Sequence, residues 1–412
     1  MLRGKESGQL VDRSLCCSSW NVYQQTLAPA FSPLTFLTMP TIGVGLIGTG
    51  FMGKAHAVAF NSVSGVFGDI LRPKLRLLCD VDAERTQGKA EEFGFERWTT
   101  DWRTLVRDPS VEVVAITTPN HLHREMAVAA LAAGKHVYCE KPMANSLADA
   151  EAMADAADQS NQITLLGYSF AKNPALSTAK RLLEEGMIGR VFDFRGFIDE
   201  DYVADPNLPW SWRLCRENAG LGVLGDITCH LISIAHLLLG PIASLTALAQ
   251  TVHQTRPASS GSSARRQVEN DDVSHALVRF RSGVCGVLAS SRIAHGRKNG
   301  IRLELHGSSG TIVFDQERMN ELELYVAGER RDIVGFRRIL TGPEHPPYGL
   351  FCQAPGHSLG FNDLKTIEVA HLLNAIAGRE RPFPTFGDGI LIERVIHGFA
   401  ESARDGKWVK LA

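Results

Sequence analysis

The sequence predicts an α/β protein: an N-terminal doubly wound parallel sheet, then a C-terminal α+β domain with a large open, mostly antiparallel sheet. Three observations carry this prediction. From Ile42 to Gly167 short apolar runs alternate with helix-length segments, the rhythm of parallel strands joined by crossover helices. From Arg190 onward longer alternating strands follow one another without helices between them, as in an antiparallel or mixed sheet. A chain of 412 residues is also too long for one small core. Two domains, 41–166 and 167–412, are therefore expected, preceded by an extension, 1–40, that matches neither pattern.

Residues 43–47 read as the first strand, and 53–60 open the first helix. An inserted loop at 61–74 is expected next, then a strand at 75–79 and a helix at 83–93. Residues 111–116 are the third strand. The helix 123–133 stops at Gly134, a C-cap glycine. Strand 136–139, helix 147–160 and the short strand 162–167 complete the first half. In the second half the helix 226–239, ending at Gly240, precedes most of the strands. Strands are expected at 190–198, 243–252, 273–280, 284–294, 300–306, 311–314 and 321–326, with a further helix at 363–377. Residues 255–270, rich in Ser, Arg and Gly, read as a mobile loop. No internal repeat is visible. The first 38 residues end in a proline-broken apolar patch too short to span a bilayer. They are expected to be a disordered extension, or a start placed upstream of a true start at Met39.

The formal net charge is −2, from 43 basic and 45 acidic residues, so neither a nucleic acid nor a membrane is expected as a partner. The eight cysteines, Cys16 and Cys17 among them, form no C-x-x-C pair. No zinc site or other metal site is expected, and a reducing, cytoplasmic compartment fits them best.

The chemistry-bearing residues cluster at the ends of the parallel strands. Gly48-Thr49-Gly50-Phe51-Met52-Gly53 is G-x-G-x-x-G between a strand and a helix. Its glycines permit the tight turn, close approach to a pyrophosphate, and close helix–strand packing. Asp80 ends the second strand, where a carboxylate bonds ribose hydroxyls and repels a 2′-phosphate, favouring NAD over NADP. Asp82 competes for that role but also suits a helix N-cap. Thr117-Thr118-Pro119-Asn120 and Glu140-Lys141-Pro142 follow the third and fourth strands, at the sheet edge where ligands bind. Lys141 is expected to point into that cleft. Asp226 and His230, four apart on one helix face, follow the glycine-rich approach 220–225. They read either as a helix-surface pair or as a catalytic pair, histidine being well matched to removing a hydroxyl proton near neutral pH.

Taken in order, these strings resemble the glucose–fructose oxidoreductase/inositol dehydrogenase (Gfo/Idh/MocA) family: Gly48–Gly53, Thr118-Pro119-Asn120 with His123, Gly134-Lys135-His136-Val137 with Glu140-Lys141-Pro142, and Gly225-Asp226 with His230. Pro209-Trp210-Ser211-Trp212-Arg213 and the stretch 402–408 resemble one branch of it. The resemblance implies a Rossmann domain, hydride transfer between nicotinamide and a sugar or polyol carbon, and a homodimer or homotetramer. It implies Lys141, Asp226 and His230 as a catalytic trio: His230 as base, Lys141 stabilising the developing oxyanion, Asp226 orienting the substrate and holding the His230 tautomer. Gly48, Thr49, Gly50, Phe51, Met52, Asp80, Thr117, Thr118, Pro119, Asn120, His123, Glu140 and Lys141 would bind NAD. Asn173, Tyr202, Trp212 and Arg213 would join the trio around the substrate, with Asp199 and Asp201 as further pocket residues. Ser233 stands where many relatives have an acidic residue. Alternatives to a dehydrogenase are an NAD-dependent glycoside hydrolase and a catalytically silent sensor.

Overall fold

The structure, a computed structural model, describes residues 40–328 and 330–411. The expected extension through Met39, with Cys16 and Cys17, lies outside the described residues. The first sheet contains β1 (Thr41–Ile47), β2 (Arg72–Cys79), β3 (Arg97–Thr99), β4 (Val113–Ile116), β5 (His136–Cys139) and β6 (Thr164–Leu166). They pair in parallel in the order β3-β2-β1-β4-β5-β6. Helices α1 (Phe51–Val66), α2 (Ala83–Phe93), α3 (Trp102–Arg107), α4 (His123–Ala132) and α5 (Leu147–Asp158) lie between the strands in sequence. All four residues of β4 are buried, as are the last six of β1. A strand covered on both faces needs apolar side chains on both, which is why these runs are continuous rather than alternating.

Two departures from expectation fall here. The insertion at 61–74 is not a loop at its start: α1 runs on through Val66, burying Phe60 and Val63, and β2 begins at Arg72. The short β3 and α3 had no sequence pattern long enough to reveal them. Asp82 serves as N-cap of α2, accepting from Arg85 N at 2.8 Å.

Helix α6 (Pro174–Glu184) leads into the second lobe, followed by β7 (Val191–Asp199), α7 (Arg216–Ala219), a π-helical turn at Leu224–Thr228 and α8 (Cys229–Leu239). Then come β8 (Ile242–Gln250), β9 (Thr255–Pro257), β10 (Arg265–Gln267), β11 (Val273–Phe280), β12 (Cys285–Ser291), β13 (Gly300–Gly307), β14 (Gly310–Asp315), β15 (Glu321–Val326), β16 (Arg337–Leu340), α9 (Tyr348–Phe351), α10 (Phe361–Ile376), α11 (Phe386–Asp405) and β17 (Val409–Lys410). Nine strands form one sheet in the order β16-β15-β14-β13-β7-β12-β11-β8-β17. It is antiparallel except where β7 lies parallel to β12. The expected loop 255–270 carries the small antiparallel hairpin β9–β10.

One face of the large sheet is inward. Along β11, Ser274, Ala276, Val278 and Phe280 are buried while His275, Leu277 and Arg279 face out, the period-2 signature of a half-covered sheet. Helices α8 and α11 lie against the inner side, on β7 and β8. Helix α10 behaves differently. It packs on α1, and Val369, Ala370, Leu372 and Leu373 share a core with Val44, Leu46, Phe60, Tyr138 and Leu165 of the first lobe. Among the described residues one helical run, Arg216–Leu239, is long and apolar enough to cross a membrane, and 78% of its apolar window is buried within the protein.

Candidate active site

In the parallel sheet the strand order reverses between β1 and β4. Loops that leave the carboxyl ends of these two strands diverge to opposite faces and open a crevice. A cavity of about 780 Å³ occupies that edge. Its floor is made by Gly50, Phe51 and Met52 after β1, Thr117 to Asn120 after β4, and Glu140 to Pro142 after β5. Across from them stand Glu200 and Tyr202 after β7, Trp212 and Arg213, and Asp226 and His230 from the π turn and α8.

The glycine turn fits a dinucleotide. A Cβ on Gly53 would lie 2.1 Å from Gly48 O, and Gly48 itself has φ +104°. Only glycine satisfies either position. Gly50 has open space around its Cβ position and caps α1 with no side-chain bond, so the first-turn amides of a sixteen-residue helix face the cavity as an anion receptor. Asp80 accepts Thr49 N (2.8 Å), Thr49 Oγ1 (2.5 Å) and Val81 N (2.7 Å) and pairs with Arg85 at 2.8 Å. Burial alone would raise its pKa, but these bonds hold it below the usual value. It is a fixed carboxylate beside the turn, as ribose recognition requires.

Lys141 Nζ donates to Asp226 O at 2.7 Å and lies 3.4 Å from Asp226 Oδ1. Tyr202 donates its hydroxyl to Asp226 Oδ2. Burial would push Lys141 down and Asp226 up. Burial is the largest single influence on each, but their mutual attraction, joined by Glu140 and Glu200 around Lys141 and by Tyr202, Arg213 and Arg292 around Asp226, outweighs it, leaving Lys141 raised and Asp226 lowered. Both are charged. His230 is 7% exposed, packed 4.6 Å from the Phe170 ring. Its Nδ1 is buried without a partner. Burial first, then Lys141, lowers its pKa well below 6.5, so the imidazole is neutral. Asp226 bonds Lys141 and Tyr202, and no bond to the imidazole is formed. The expected tautomer-holding contact is absent, because a π turn delivers Asp226 and regular α spacing is broken between it and His230.

The cavity unites Gly50, Phe51, Met52, Thr117, Thr118, Pro119, Asn120, Glu140, Lys141, Tyr202, Trp212, Arg213, Asp226 and His230, all expected from sequence. Gly48, Thr49 and Asp80 stand behind its wall. Two other expected residues do not line the cavity. His123 is fully buried, its ring nitrogens 3.0 Å from Pro142 O and Thr118 O; it ties two strand-end loops together. Asn173 is 1% exposed, caps α6 through Ala175 N at 2.8 Å and donates to Met319 O at 2.8 Å; it is a helix cap, not a wall residue. Asp201 pairs with Lys298 at 2.7 Å and Asp199 lies off the wall.

Glu200, which sequence reasoning passed over, lines the cavity instead. Residues 194, 196 and 198 of β7 face inward, and Glu200 continues that face beyond the strand end; the alternation was a usable signal. Burial, reinforced by Asp226 and relieved by Lys141, pushes its carboxyl up to about 7. Ser169, Phe170 and Phe361 were also missed. Phe361, first residue of α10, stacks on Phe51 with ring centroids 5.7 Å apart.

Residues 42–168 match the oxidoreductase family with NAD-binding Rossmann fold, and residues 176–313 match the GFO/IDH/MocA C-terminal domain. Levoglucosan dehydrogenase of Pseudarthrobacter phenanthrenivorans is 38% identical over 383 residues, spanning 90% of this chain and 98% of that protein. A solved structure of levoglucosan dehydrogenase in complex with NADH and L-sorbose superposes with a TM-score of 0.88 at 39% identity, covering 91% of this chain and all of that one. An NAD binding oxidoreductase from Klebsiella pneumoniae is 42% identical with a TM-score of 0.87, covering 90% of this chain and 99% of its own.

Proposed function

Because this chain belongs to the Gfo/Idh/MocA family of NAD-binding oxidoreductases, we propose that it oxidises a secondary hydroxyl of a sugar, cyclitol or related polyol. The observation that carries this reading is the convergence of Lys141, Asp226 and His230 on one cavity whose far end is the glycine turn. NAD, when bound, supplies the hydride acceptor. Neutral His230 takes the hydroxyl proton through Nε2, its Nδ1 being buried. Cationic Lys141 donates to the same oxygen as negative charge builds on it. Asp226 holds Lys141 in place and orients the substrate. Glu200, Tyr202, Trp212 and Arg213 hold the remaining hydroxyls. The carboxylate of Glu200 has no hydrogen-bond partner of its own among the described residues, leaving both oxygens for substrate.

We assign 41–166 to dinucleotide binding and 167–412 to substrate binding and oligomerisation. The open face of the large sheet, with Phe197, Leu248 and Leu277 exposed, supports a homodimer or homotetramer. Among the described residues six cysteines are free, three of them buried, which supports work in a reducing cytoplasm. The test is a panel of levoglucosan, inositols, aldoses and deoxy sugars with NAD, followed at the NADH absorbance. Net NADH from a free polyol is expected. Sugar release without net NADH would mean hydrolysis, and binding with neither would mean a sensor.

A further inference from the structure

Glu140 and Lys141 are neighbours that point into different surroundings. Lys141 reaches Asp226 across the cavity. Glu140 turns into a buried network: its Oε1 accepts Lys365 Nζ at 2.6 Å and lies 2.8 Å from His56 Nε2. Lys365, 1% exposed at its side chain, also donates to Glu368 Oε2 at 2.8 Å and to the Tyr138 hydroxyl at 3.2 Å. Two residues beyond Lys141, Met143 N donates to Glu393 Oε1 at 2.9 Å. Lys365 belongs to α10 and Glu393 to α11. The lysine that meets the substrate thus sits between two anchors that both come from the C-terminal helices.

The segment needs outside support. Pro142 has no N–H to donate, and Lys141 N makes only a long 3.3 Å contact to its neighbour Glu140. Among the described residues the other ties are Glu140 N to Ile116 O at 2.9 Å, at the strand end, and the His123 ring at Pro142 O, 3.0 Å away, and neither engages the backbone of Lys141 or Met143. A buried ion pair is a poor way to add stability, since apolar side chains of the same shape do as well or better. It does fix direction and distance, as a contact between methyl groups does not.

We propose that Lys365 and Glu393 are positioning residues for the reaction, clamping residues 140–143 from both ends so that the Lys141 ammonium is held at the reacting oxygen. The inference rests on the role given to Lys141 above. Misplacement of a catalytic group by about 1 Å costs on the order of 100-fold in rate.

The decisive pair is Glu393→Gln and Glu393→Met in the full chain. Glutamine keeps an oxygen for Met143 N, and methionine fills the space without one. With levoglucosan or myo-inositol, whichever the wild type oxidises, Glu393→Met should lose about 10- to 100-fold in kcat, with KM and NADH affinity by fluorescence within about threefold. Glu393→Gln should keep wild-type kcat. Lys365→Met should lose kcat likewise, along with melting temperature. Crystal structures of the NADH-bound variants read the same point without substrate: in Glu393→Met, Lys141 Nζ should leave its position at Asp226 O. Equal kcat and an unmoved Lys141 in Glu393→Met would overturn the clamp. Intact turnover in Lys141→Ala would instead overturn the role of Lys141 itself, and the two failures are distinguishable.

Discussion

Lys141, Asp226 and His230 show how one cavity sets three protonation states by environment. Attraction overrides burial for the lysine–aspartate pair, while burial wins for the histidine. Lys141→Ala should cost about 10²–10³ in kcat, the usual loss for an oxyanion donor. His230→Ala should cost about 10²–10⁴, as for a general base. NADH binding by fluorescence should be spared in both. The pH profile carries the next expectation. Glu200, with its carboxyl near 7, is ionised only above that point, so kcat/KM should rise through neutral pH. Glu200→Gln should remove that limb and leave one below pH 6.5 belonging to His230; a profile unchanged by the substitution would exclude Glu200 from substrate binding. At Asp80 the sequence shows no arginine in the next position, yet the helix turn of α2 brings Arg85 to within 2.8 Å. Asp80→Ser should shift kcat/KM toward NADP by about tenfold or more, Arg85 then being free to pair with the 2′-phosphate. The double variant with Arg85→Ala should lose that gain. The motif residues of the site were legible because their chemistry demands particular types at strand ends. Glu200 was passed over in favour of Asp199 and Asp201 because the strand's alternation, which says which side chain faces in, was not applied there.

Parallel strands and their crossover helices were legible because continuous apolar runs have few other uses. Beside the short α3, α7 and α9, two longer helices escaped. The start of α6 is Asn173-Pro174, a capping residue followed by proline at the first helical position; Asn173 was read as part of a pocket instead. In α11, Gly387 and Gly389 interrupt the helix-forming run. Yet Gly389 is there for packing, since a Cβ would lie 2.3 Å from Leu166 Cδ1. Tertiary closeness of this kind leaves no local signal. The same closeness governs the glycine turn, and Gly53→Ala should weaken NADH binding by about tenfold or more, because the new methyl would meet Gly48 O at 2.1 Å. Unchanged NADH affinity in that variant would remove the turn from the binding site. The π turn at Leu224–Thr228 was likewise invisible, since its apolar spacing matches an ordinary helix while its hydrogen bonds do not.

At the scale of the molecule, the large sheet leaves apolar side chains on its outer face. Leu277 is 52% and Leu248 72% exposed, in strands that pair directly. A charge placed there by Leu277→Asp should split the proposed oligomer, read as a fall in mass by light scattering, with secondary structure retained. A monomeric wild type would refute the assignment of that face. The return of α10 to the first lobe has a different consequence, one for biosynthesis. Tyr138 finds its partner Glu368 at a sequence separation of 230 residues. The nucleotide-binding half, though translated first, lacks a finished core and a neutralised Glu140 until the chain has been made through Ile376. A chain arrested earlier would carry the complete glycine turn yet leave apolar surface bare for chaperones and proteases to recognise. Completion of the first lobe's core is thereby tied to synthesis of α10.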